Sequence, residues 1–128
     1  MNVLDENFPE DQRPRLKEWH IPFRQVGREI ARFGVQDPDV IRLLHRRRGV
    51  TLFTQDEDFF DAELCHGGYC LVWLDVRVDD AAFFLRRFLN HPRFRTNAVR
   101  MGIVARVHPH GIHFWQRNHA KLQHAIWT

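Results

Sequence analysis

The side chains best suited to chemistry are acids that follow apolar, β-type segments. Asp5 and Glu6 follow Asn2 to Leu4; Asp56, Glu57 and Asp58 follow Val50-Thr51-Leu52-Phe53-Thr54; and Asp75 follows the apolar run Tyr69 to Leu74. Open α/β sheets bind ligands beyond the carboxyl ends of their strands, so three strand ends deliver carboxylates to one edge. Asp37 joins them if the helix it opens starts at that edge. Carboxylates gathered in this way repel one another, and a hard divalent cation, Mg²⁺ or Mn²⁺, offsets the repulsion. Ions held by carboxylates generate hydroxide from water and stabilise a leaving oxygen, which is enough to cleave a phosphodiester without a side-chain nucleophile. Each acid also has a structural reading. Asp37 before Pro38 suits a helix N-cap, and Asp56 suits a cap for the short helix after it. Asp79 and Asp80 read as caps alone, and Glu57, Asp61 and Glu63 as solvated surface. Convergence on strand ends, rather than any single spacing, carries the functional reading.

The basic residues are segregated. Residues 1–80 hold all 16 acids against 11 Lys or Arg, whereas residues 81–128 hold 8 Lys or Arg and no acid. Of the 19 basic residues 17 are arginine, whose planar fork matches phosphate oxygens. On the helix expected from Ala81 to Asn90, Phe83, Arg86, Arg87 and Asn90 share the face opposite the apolar one. That stripe can stack on an unpaired base while gripping phosphates, or serve as a dimer contact. Arg93, Arg95 and Arg100 extend the positive potential. A single-stranded nucleic acid is therefore the expected polyanion, bound by the basic half and led to the acidic edge.

The remaining candidates are weaker. His108, His110 and His113 lie within six residues, but on a strand His110 and His113 point to opposite faces, so they read as a polar hairpin tip. Cys65 and Cys70 form no CxxC or Cys/His zinc framework and read as small buried hydrophobes.

The elements that must position the acids follow from local pattern. Strands are expected at Asn2 to Leu4, Ile21 to Val26, Val50 to Thr54 and Tyr69 to Leu74, the last two unbroken by polar alternation as in sheets covered on both faces. Helices are expected to about Trp19 behind Asn7 and Pro9, where Pro14 requires either a start nearer Gln12 or a kink, and further from Asp37-Pro38 towards Gly49, from Asp58 to Glu63, and from Ala81 to about Asn90 behind Asp79-Asp80. Gly27 to Gln36 reads as a connection with one helical turn. Met101 to Val107 and Gly111 to Gln116 flank a turn-like His108-Pro109-His110, which predicts a terminal hairpin. This alternation specifies an α/β fold with a largely parallel central sheet flanked by helices.

A chain of 128 residues, 44% hydrophobic and 27% charged, suits one domain over residues 1–128, with an acidic-site part at 1–80 and a basic part at 81–128. No apolar run approaches the ~20 residues of a bilayer span. The acidic start Met1-Asn2-Val3-Leu4-Asp5-Glu6 lacks the layout of a secretory signal, so a cytoplasmic location without membrane partners is expected.

Three segments resemble a known family. Val3-Leu4-Asp5-Glu6-Asn7-Phe8-Pro9, Gln36-Asp37-Pro38-Asp39-Val40-Ile41 and Leu52-Phe53-Thr54-Gln55-Asp56-Glu57-Asp58-Phe59 look like the motifs of a small PIN-like domain family, relatives of the toxin-type PIN nucleases of bacterial toxin–antitoxin systems. The resemblance extends over roughly residues 1–116 in motif order and spacing. It implies a parallel sheet, an acidic cluster binding Mg²⁺ or Mn²⁺, metal-dependent cleavage of RNA and an antitoxin protein as partner. By position, Asp5, Asp37, Asp56 and Asp58 match the family's acidic positions and Asp75 is a further metal candidate. Asp5 and Asp56 are expected as direct ligands, Asp37 and Asp58 as direct or water-mediated ones.

Two rival enzymes fit poorly. A phosphoacceptor receiver domain needs a lysine after its last strand, and the only lysines are Lys17 and Lys121. A DxD phosphatase using Asp56-Glu57-Asp58 needs that motif at the first strand. The remaining alternative is a non-catalytic nucleic-acid- or protein-binding module on a PIN-like scaffold.

Overall fold

The computed structural model describes residues 1–30, 34 and 37–128, the side chain of residue 37 excepted. Seven strands, β1 (Asn2–Leu4), β2 (Arg24–Gln25), β3 (Val50–Thr54), β4 (Tyr69–Leu74), β5 (Ile103–His108), β6 (Gly111–Gln116) and β7 (Gln123–Ala125), form one sheet in the order β2-β1-β3-β4-β5-β6-β7. The ladders from β2 to β5 are parallel, and β5-β6 and β6-β7 are antiparallel. The fold is thus α/β with a mostly parallel mixed sheet. Its helices are α1 (Arg13–Glu18), α2 (Asp37–Arg46), α3 (Ala81–Asn90) and α4 (Asn97–Arg100).

The order of the first three strands decides where a ligand can sit. From β1 the chain moves outward to β2, then returns past β1 to β3 on its other side. Right-handed crossovers in opposite directions put their helices on opposite faces of the sheet. The packing agrees. Leu16 of α1 and Leu85 and Phe88 of α3 join Leu4, Phe53, Val72 and Ala105 in one core. Val40 and Leu44 of α2 join Val3, Leu52, Leu71 and Val104 in the other. Such a reversal opens a crevice between β1 and β3 at their carboxyl ends.

Several elements differ from the local pattern. Of the readings of the first helix, the start near Gln12 holds rather than one at Asn7 or Pro9 with a kink: a 3-10 turn at Glu10–Gln12 precedes α1, so Pro14 falls in the first helical turn, where its missing N–H costs nothing. β2 keeps only Arg24–Gln25 of the longer segment expected. The expected Asp58 to Glu63 helix is two 3-10 turns, Glu57–Phe59 and Ala62–Leu64, capped by the side chains of Asp56 and Asp61. The expected Asp79-Asp80 cap is not formed through a side chain; instead the Ala82 N–H of α3 donates to Gln12 Oε1 at 3.1 Å, a buried amide 70 residues upstream. α4 and β7 were not anticipated. Part of the Gly27 to Gln36 connection lies outside the described residues; its start bridges Val26 to Ile30. Among the described residues no helix is long and apolar enough to cross a membrane. Both thiols are free, and burial pushes that of Cys70 up to about 12.

Candidate functional site

β1 ends at Leu4, and the next residue, Asp5, is the most buried acid among the described residues at 6% exposure. Its backbone N–H still belongs to the sheet, donating to Phe53 O at 2.9 Å. Its carboxylate accepts from Thr54 Oγ1 at 2.7 Å and from the Glu6 N–H at 2.9 Å. Thr54, fully buried at the end of β3, also accepts from the Asp56 N–H at 3.0 Å. One hydroxyl therefore ties Asp5 to the loop that carries Asp56, across the crevice between β1 and β3. Burial pushes the Asp5 carboxyl above the usual carboxylate range; the bonds from Thr54 and Glu6 pull it back, and the negative charges of Asp56 and Glu6 push it up again.

The other acids are distributed unevenly. Asp56 is half-buried and accepts from the Asp58 N–H at 2.9 Å, so its capping role and its place at the crevice coexist. Asp58 is exposed and lines a cleft of about 500 Å³ with Pro38 in the first turn of α2, which places the start of that helix at the same sheet edge. The side chain of Asp37 lies outside the described residues. Asp75 is drawn aside: its Oδ2 accepts from Arg106 Nε at 2.9 Å and pairs with Nη2 at 2.8 Å. An arginine thus already pairs with this part-exposed carboxylate. Glu6 accepts from the Gly34 N–H with both carboxylate oxygens, at 2.8 and 2.9 Å, where φ of +87° suits glycine.

Sequence reasoning missed two supporting residues. Thr54 is the hub, and its only signal was a hydroxyl closing an apolar strand immediately before acids. Gln25 is the second: its buried amide donates to Asp5 O at 3.0 Å and contacts the carbonyls of Glu6 and Phe8, while Arg13 Nη1 donates to its Oε1. β2 is short, yet this one side chain clamps the loop after β1 to it.

Among the described residues no three His, Cys, Asp or Glu side chains form a ready-made metal cluster. The chemistry of the donors at the crevice nevertheless fits a hard cation, since a buried carboxylate raised by burial and by two neighbouring negative charges gains from a positive charge beside it. At the hairpin, His108 Nε2 lies 3.0 Å from His113 Nδ1, and His124 on β7 packs against His113 with ring centroids 4.8 Å apart. His110 stays exposed at the turn. Burial, helped by the nearby Arg106 charge, lowers both His108 and His113.

The basic residues divide. Phe83, Arg86, Arg87 and Asn90 do share one face of α3, and with Trp127 they line a cleft of about 240 Å³ on the outer side of that helix. Arg86 lies 4.7 Å over the Trp19 ring and Arg87 4.4 Å over Trp127, while Phe83 is 46% exposed. Arg93 sits over Phe114 and Arg95 is exposed. Arg100, by contrast, is buried and stands apart from that surface. Arg86→Ala with Arg87→Ala is expected to weaken single-stranded RNA binding and to reduce the log-log salt slope by about 0.7 for each phosphate no longer engaged. Binding titrations across a salt series check this; an unchanged slope would assign the cleft to a protein or homodimer interface. Comparison with family models, with curated proteins and with solved structures returned no match.

Proposed function

We propose that this chain is a metal-dependent nuclease, an endoribonuclease that hydrolyses RNA phosphodiesters with Mg²⁺ or Mn²⁺. The supporting observation is the Asp5–Thr54–Asp56 linkage at the crevice between β1 and β3, where burial and like charges make a divalent cation the natural counter-charge. The cation, when bound, supplies a hydroxide from water and stabilises the leaving oxygen. Asp5 and Asp56 would hold it directly, and Asp58 and Asp37 would do so directly or through water. Thr54 ties the Asp5 carboxylate to the backbone of the loop that carries Asp56, and Gln25 keeps the loop after β1 in place. The cleft on α3 grips the flanking phosphates of a single strand. On this reading the chain is a PIN-like hydrolase of toxin type, and an antitoxin is its protein partner.

The test is incubation with single-stranded RNA in millimolar Mn²⁺, with and without a chelator. Internal cleavage that chelation abolishes and Mn²⁺ restores is the expected result. The same ion should raise the melting temperature, since a ligand of the folded state at one hundred times its Kd stabilises by about 2.7 kcal/mol. The absence of both cleavage and stabilisation would overturn the proposal. A specific observation favours one second reading: the aromatic and arginine cleft on α3 is complete without the acids. RNA binding without metal-dependent turnover would assign the chain to a non-catalytic binding module.

A further inference from the structure

Arg100, the last residue of α4, is only 7% exposed. Its Nε donates to Thr51 Oγ1 at 3.1 Å and its Nη1 to Phe94 O at 2.7 Å. Both partners are neutral, and none of the ion pairs among the described residues includes Arg100. Cys70, beside it, is a neutral thiol at ordinary pH because burial holds its pKa at about 12. A guanidinium buried with no opposite charge is costly, which is why buried charges are as a rule paired.

The third nitrogen shows where the pairing charge can enter. Among the described residues every side-chain N or O sealed from solvent has a hydrogen-bond partner. Nη2 bonds to none, so it is open, and Arg100 lines a cavity of about 250 Å³. Into the same cavity come a second guanidinium, Arg24 on the edge strand β2, and the carboxamides of Asn2 and Asn97. Among the described residues no acid lines it, and Pro22 and Phe23 form its apolar wall. Asn2 and Thr51 are register partners at the amino ends of β1 and β3, so the cavity lies at the opposite end of the sheet from Asp5 and is independent of the nuclease reading.

Two guanidiniums and the Asn97 carboxamide, with the Asn2 amide already donating to Pro22 O at 3.0 Å, surround one opening, a set of donors that suits an oxyanion. We infer that this cavity binds a phosphoryl group, with Arg100 Nη2 as its buried anchor and Arg24 as its outer clamp. Two sources share that chemistry: free inorganic phosphate, and the terminal phosphate of an RNA strand.

The experiment is a titration of the full chain, kept metal-free with a chelator, with inorganic phosphate at constant ionic strength against chloride. Saturable binding at one site is expected, weakened at least fivefold in Arg24→Ala, an exposed position where the fold is not at stake. Arg100→Lys keeps a charge but loses the fork, and is expected to weaken phosphate further while Asp56→Asn binds as the wild type does. A short oligonucleotide with a 5′-phosphate, compared with its hydroxyl-ended form, separates the sources. Tighter binding of the phosphorylated strand than of its hydroxyl-ended form, a difference lost in Arg24→Ala, assigns the strand end, and equal affinity of the two strands assigns the free ion. Absence of saturable phosphate binding, or Arg24→Ala and Asn97→Ala both binding as the wild type does, would overturn the inference.

Discussion

Asp5→Asn and Asp56→Asn are each expected to lower metal-dependent RNA cleavage by more than about 100-fold, beyond the 10- to 100-fold range for residues that only support a ligand. The fold should survive both changes, and for Asp5 it should gain. Asp5 has a folded-state pKa above its unfolded value, so between the two the native protein binds more protons than the unfolded chain. Stability is then greatest below the unfolded pKa of 3.8 and falls as pH rises through the folded value. An asparagine keeps acceptor and donor atoms for Thr54 and the Glu6 N–H but cannot ionise. In the metal-free protein, Asp5→Asn should therefore match the wild type near pH 4 and melt higher near pH 7. Saturating Mn²⁺ should reverse that order at pH 7, because only the wild type gains the ion. Melting curves at the two pH values, with and without Mn²⁺, check it; an Asp5→Asn protein that cleaves at the wild-type rate would remove Asp5 from the site.

The second large effect belongs to Thr54→Val. Valine has nearly the shape of threonine, so the buried volume is kept while the one hydroxyl that serves both Asp5 and the Asp56 N–H is lost. Removing one partner from a buried polar group typically costs about 1–3 kcal/mol. Because Asp5 is the group left short, its carboxyl should rise further, and the loss of stability should be larger at pH 7 than at pH 4. Cleavage should fall by about 10- to 100-fold, the range for a residue that orients a metal ligand. Thr54→Ser restores the hydroxyl and should recover most of the rate despite losing a methyl from the core. Urea denaturation together with initial rates for the Val and Ser variants checks this. A Val variant with normal activity would show that Thr54 serves the fold alone.

What the sequence by itself determined is whatever local pattern fixes. The bounds of β3 and β4 follow from runs without polar alternation, those of β6 from the turn-like His108-Pro109-His110 before it, and those of α3 from the face Ala81, Ala82, Phe84, Leu85 and Phe88 present at helical spacing. The stripe of Phe83, Arg86, Arg87 and Asn90 was legible for the same reason, since side chains three and four apart on a helix must be neighbours. That acids stand at strand ends was also legible. Which ends are adjacent was not, because strand order is set by packing both faces of the sheet, and only the reversal between β2 and β3 joins Asp5 to Asp56.

Partners far apart in sequence leave no local trace. Gln12 takes the capping role expected of Asp79 and Asp80 from 70 residues away, Arg106 pairs with Asp75 across 31 residues, and Thr54 becomes a hub only because β1 lies beside β3. β7 was invisible since Gln123, His124 and Ala125 carry no β-type pattern and pair only because β6 offers an open edge. Arg100 reads in sequence like Arg93 and Arg95, yet α4 turns it inward against Thr51, so tertiary packing alone separates a buried guanidinium from those on the surface.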